Sequence, residues 1–140
     1  MEMHLHVIGV LLILLALVHI FFPSYFEWKK ELQMLSTINK EMMVVHTLFI
    51  ALTVFLMGVL CLTSAQELTE TVFGQRIAFG IAAFWIVRLL IQLFGYSSIL
   101  WKGKRFETVI HILFTVLWFY ISTVFVLVAL GRSNECVIFF

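Results

Sequence analysis

Four apolar stretches, residues 4–22, 42–63, 73–95 and 107–130, take up most of this chain. Each is about 19–24 residues long, enough for a helix rising ~1.5 Å per residue to cross a hydrocarbon layer of ~30 Å. A chain of 140 residues that is 63% hydrophobic and 12% charged cannot hide so much apolar surface in a soluble core, whereas a bilayer accepts it. The expected fold is all-α: a four-transmembrane-helix bundle forming a single integral membrane domain over residues 1–140. The bilayer is the expected partner. The net charge of +1 gives no reason to expect nucleic acid as another.

The first stretch lacks a basic leader and is followed by Phe21-Phe22-Pro23, with no small-x-small cleavage pattern. It reads as a retained span. Lys29, Lys30 and Lys40 follow span 1, and Lys102, Lys104 and Arg105 follow span 3. Only Arg76 and Arg132 fall on the other side. The positive-inside rule then places both odd loops in the cytoplasm and both termini outside.

Residues 24–40 carry a Ser24/Glu27 capping pattern directly after Pro23. Tyr25, Trp28, Leu32 and Leu35 recur at helical spacing beyond it. A short cytoplasmic amphipathic helix lying on the membrane surface is expected, either as a lid over the inner span ends or as a linker. Ser64 and Glu67 repeat the capping pattern before span 3. That span opens with Gly74, Ala78, Gly80 and Ala82, small residues that permit close helix approach.

Few polar residues interrupt the spans, and His19, His46, Arg88, Gln92, Glu107 and His111 all fall near the same, inner end. Ionisable groups are costly in lipid, so a shared depth points to one shared pocket. Arg88 and Gln92 are four residues apart on one helix face, continued by Trp85 and Ile81. Glu107 and His111 repeat that spacing, continued by Thr115, Trp118 and Ser122. His46 aligns with Ile50, Thr53 and Met57. Each of these stripes is expected to face the bundle interior. Arg88 keeps its charge and needs a partner, for which Glu107 is the natural choice unless Arg88 reaches the headgroups instead.

The histidines admit several chemistries. His46 and His111 on facing helices suit haem b; His46, Glu107 and His111 suit a metal ion; any of them can move protons or simply hydrogen-bond between helices. Alternatively Arg88 neutralises an anionic lipid or a quinone-like ligand. Two other classes stay open. One is a non-catalytic membrane subunit or assembly factor that packs on a partner through Gly74, Ala78 and Ala82. The other is a proton or solute pathway formed by a homo-oligomer. His4 and His6 sit at the outer end as an isolated pair. Cys61 and Cys136 also fall at the outer end, and their pairing requires the tail to fold back.

Pro23, Phe26, Trp28, Glu31-Leu32, His46 with Phe49-Ile50, and Phe84-Trp85 with Arg88 and Gln92 together resemble a family of small bacterial four-span inner-membrane proteins. The resemblance runs from about residue 18 to residue 127 of the chain. It implies a multi-pass protein of the bacterial inner membrane and marks the same polar residues, but it implies no reaction. The haem-associated protoporphyrinogen oxidase J family is similar in length and span count. Its basic residue after the first span is missing here, where the chain reads Phe22-Pro23-Ser24-Tyr25, so no catalytic residue carries over.

Overall fold

A computed structural model describes residues 1–25, 27–97 and 104–131. Phe26, Lys102, Arg132 and the tail with Cys136 lie outside the described residues, so the expected pairing of Cys136 lies outside them too. Among the described residues every regular element is helical and no strand occurs. The order is α1 (Glu2–Val18), α2 (Phe22–Tyr25), α3 (Trp28–Glu31), a 3₁₀ turn (Leu32–Met34), α4 (Thr37–Thr63), α5 (Ala65–Glu70), α6 (Val72–Leu90), a π turn (Ile91–Gly95) and α7 (Arg105–Leu130). Residues 3–65 form one compact unit, and those from 66 onward, with Met1 and Glu2, form a second.

Three helical segments are long and apolar enough to cross a membrane: α4, α6 with its π turn, and α7. The fourth apolar helix, α1, is shorter, with 17 residues. Large apolar side chains such as Leu48, Phe49, Phe79, Val116 and Phe119 are exposed along these helices. So many would be unfavourable in water and are at home against lipid chains.

In the first unit α1 and α4 approach closely where two glycines meet. A Cβ on Gly58 would lie 2.9 Å from the Gly9 carbonyl oxygen, and one on Gly9 would lie 2.9 Å from the Gly58 carbonyl oxygen. Val54, Gly58 and Cys61 are the buried residues of α4, and Cys61 is a free thiol. After α1 the turns tighten, with Ile20 N–H donating to Leu17 O (3.1 Å) and Phe21 N–H to Val18 O (3.0 Å). Pro23 follows, tolerated in the first turn of α2 because its missing N–H has no helical partner there.

The expected amphipathic helix over 24–40 is not continuous. The chain makes three short turns and then begins α4 at Thr37. Glu27 adopts a left-handed backbone (φ 45°) that separates α2 from α3, and its side chain caps nothing. Its carboxylate accepts from Lys30 Nζ at 2.9 Å, so the expected Ser24/Glu27 capping box does not form. α4 spans 27 residues, about 40 Å. Its polar start (Thr37, Asn39, Lys40, Glu41) thus extends beyond a hydrocarbon layer.

In the second unit Thr71 caps α6, its hydroxyl accepting from Gly74 N–H at 2.9 Å while donating to Glu67 O at 2.7 Å. The α5–α6 corner is so tight that Gly74 has no room for a side chain. Gly74, Ala78 and Ala82 are buried within the chain itself. The small-residue face expected to receive a partner subunit is therefore already covered. α6 and α7 pack together, with Trp85 of one stacked on Trp118 of the other.

Candidate functional site

The residues expected to line one pocket divide between the two units: His19 and His46 in the first, Arg88, Gln92, Glu107 and His111 in the second. The second unit brings three of its four together. Arg88 Nη1 donates to Gln92 Oε1 at 3.1 Å. Both belong to one helical column, and Gln92 is 5% exposed inside the π turn. The Gln92 carbonyl is among the last four of the helix, where carbonyls run out of helical donors. His111 on α7 supplies one, its Nε2–H donating at 3.2 Å. Since a carbonyl only accepts, His111 carries a proton on Nε2.

Aromatic rings complete the setting of Arg88. Its guanidinium carbon lies 5.1 Å from the Trp118 ring centroid and 5.9 Å from that of Tyr96. Such contacts stabilise a cation by about 0.5–2 kcal/mol each, more as water is excluded. Trp118 stacks on Trp85 (centroids 4.9 Å, planes 18° apart) and on Phe114 (5.5 Å, 22°). The expected interior stripe of α6, Ile81, Trp85, Arg88 and Gln92, is thus assembled. On α7 the stripe holds for Trp118 and Ser122, which are buried, and for His111 and Thr115, which are half-buried.

Glu107 does not join them. It is exposed in the first turn of α7, where a carboxylate complements the helix dipole. Lys30 pairs with Glu27, but no ion pair joins Arg88 to Glu107. The expected Arg88–Glu107 pair is therefore absent, and neutral and aromatic groups surround Arg88 instead.

The first unit treats its histidines differently. His46 is exposed on α4, with Nδ1–H donating to Met42 O at 2.7 Å. Thr53 is exposed too and donates to Phe49 O. The stripe expected to turn His46 and Thr53 inward is turned outward. These side chains bond carbonyls of their own helix, so they need no interior partner, and the Gly9–Gly58 contact sets which face of α4 is buried. His19 Nδ1–H donates to Leu15 O at 2.8 Å, and His19 lines a recess of about 240 Å³ with Pro23, Trp28, Val44, Thr47 and Leu48. His4 and His6 are exposed on α1.

No family model, curated protein or solved structure matches the chain. Among the described residues, no three His, Cys, Asp or Glu side chains gather as metal ligands. The expected metal set of His46, Glu107 and His111 is not formed. Glu107 and His46 are both exposed and His111 is committed to the Gln92 carbonyl.

The importance of Trp118 and Tyr96 to Arg88 was not legible from residue types alone. Trp118 is seven residues beyond His111 and shares its face, which is a usable signal. Tyr96 lies past the π turn, where helical spacing no longer predicts facing.

Proposed function

We propose that this is a four-span protein of the bacterial inner membrane that holds the anionic head of an amphiphile at Arg88, in the cytoplasmic leaflet. α1 serves as the fourth span, lengthened by the 3₁₀ turns through Phe21. Lys29, Lys30, Lys40, Lys104 and Arg105 favour the orientation with both termini outside, as does the likeness to small bacterial four-span proteins.

The single observation that carries the reading is the company Arg88 keeps. Among the described residues it has an amide and two aromatic rings for partners and no carboxylate. A permanent cation in a membrane-spanning helix calls for a counter-charge, and a lipid phosphate or carboxylate supplies it. Depth agrees. Arg88 lies seven residues before Gly95, and His111 six residues after Arg105, so each is about 10 Å inside the helix end. A guanidinium at that level reaches headgroup oxygens by extending along its stem. Gln92 and His111 fix the end of α6 against α7 and so aim Arg88.

Native mass spectrometry of the detergent-solubilised protein tests this with phosphatidylglycerol against phosphatidylcholine. The anionic lipid is expected to bind more tightly, and Arg88→Gln to lower its affinity roughly tenfold, the worth of one charge-assisted hydrogen bond. Equal binding of both lipids, or an unchanged affinity in the variant, refutes the reading. A haem absorption band in the purified protein would instead favour a cofactor role for the histidines.

A further inference from the structure

Next to Arg88, the seam between α6 and α7 contains buried polar atoms with no partner among the described residues. Trp85 Nε1, Trp118 Nε1 and Ser122 Oγ are all fully enclosed, on side chains 1%, 3% and 5% exposed. Buried polar groups in folded proteins are nearly always paired, so three in one seam call for a ligand or an ordered water. The two indoles are one-sided, whereas the Ser122 hydroxyl both donates and accepts. The indole N–H only donates, and Arg88 only donates, to Gln92 Oε1 among the described residues. This part of the seam is rich in donors and poor in acceptors.

The placement is also ordered in depth. Trp85 precedes Arg88 by three residues on α6, so it lies ~4.5 Å further into the membrane. Trp118 stacks on Trp85 and also faces the Arg88 guanidinium, so the two indoles lie beside the cation. Ser122 continues the row one turn deeper on α7. A bound molecule that satisfies the seam needs a negative group at Arg88 and an acceptor oxygen about one helical turn inward.

Resting on the reading of Arg88 above, we infer that the ligand is an anionic glycerophospholipid, its phosphate on Arg88 and an ester carbonyl accepting from Trp118 or Trp85, directly or through one water. A free phosphate or a fatty-acid carboxylate offers no second acceptor at that depth. A quinone offers carbonyls without the charge.

The test compares phosphatidylglycerol with its ether-linked analogue, which keeps the phosphate and lacks the ester carbonyls, on the full-length protein in detergent. The ester lipid is expected to bind roughly threefold to tenfold more tightly, the worth of about one neutral hydrogen bond. Trp118→Phe and Trp85→Phe keep the ring stacking and should together remove that preference. Equal affinities for the two lipids in the wild-type protein overturn the inference while leaving the Arg88 reading intact; this arm needs no variant to fold. A preference that survives both Trp→Phe changes also overturns it. Failure of Arg88→Gln to weaken either lipid refutes the Arg88 reading itself, and the inference with it.

Discussion

Replacing Gly74 by alanine tests the α5–α6 corner from which α6 carries Arg88 into the site. A Cβ there would overlap the Glu67 carbonyl oxygen and sit 2.6 Å from Leu68 Cα and 2.7 Å from Glu67 C, where ordinary contact begins near 3.4 Å. These are backbone atoms and cannot swing aside as a side chain would. Glu67 O is also the anchor of the corner, accepting from Thr71 N–H (3.1 Å) and Thr71 Oγ1 (2.7 Å), while Gly74 N–H donates to Thr71 Oγ1 (2.9 Å). Opening the corner by about an ångström strains or breaks these bonds, each worth ~1 kcal/mol. Overpacking costs a further ~1–3 kcal/mol. The expected loss is about 3 kcal/mol. Gly80 on the same helix is the control, since nothing lies within 4 Å of a Cβ built there. Gly80→Ala should be neutral or stabilise by up to about 1 kcal/mol through helix propensity. Reversible unfolding in mixed micelles, titrated with a denaturing detergent, measures both. Two variants that agree within ~0.5 kcal/mol would show that the corner is not closed as described.

Other expectations address the site and the first unit. His111→Phe leaves the Gln92 carbonyl without its donor and should cost about 1 kcal/mol by the same assay, since hydrogen bonds between membrane helices average below that figure; no loss would mean that the bond does not form in the bilayer. Gly58→Val drives a branched side chain toward the Gly9 carbonyl and Ile13, so a loss of ~1–3 kcal/mol is expected, and unchanged stability would remove the α1–α4 contact. With Cys61 and Cys136 replaced by serine or alanine, a cysteine at Lys104 should resist a membrane-impermeant maleimide in intact cells, while one at Glu70 should react. The reverse pattern would invert the orientation.

Much of the architecture was legible without coordinates, because crossing a bilayer imposes a property that each segment carries alone. Apolar runs over 42–63, 73–95 and 107–130 match α4, α6 with its π turn, and α7 to within a few residues. The start of α4 at Thr37 differs from the expectation because Thr37, Asn39 and Lys40 are polar and fall in the stretch over 24–40 read as a separate interfacial helix. The interior face of α6 was legible too, since helical spacing fixes which residues share a side whatever the neighbour is.

What spacing could not decide is which groups meet. Arg88 had an obvious charged partner in Glu107, yet an amide one turn away and two rings surround it, because proximity in three dimensions depends on how α6 and α7 pack. His46 looked like an inward residue by its polarity. The Gly9–Gly58 approach rotates α4 the other way, and a histidine that bonds the carbonyl four residues behind it meets no penalty for facing out. Hydropathy is a sum over a segment and survives being read along a line; partner choice is a matter of distances between residues far apart in the chain, and only the folded backbone sets those.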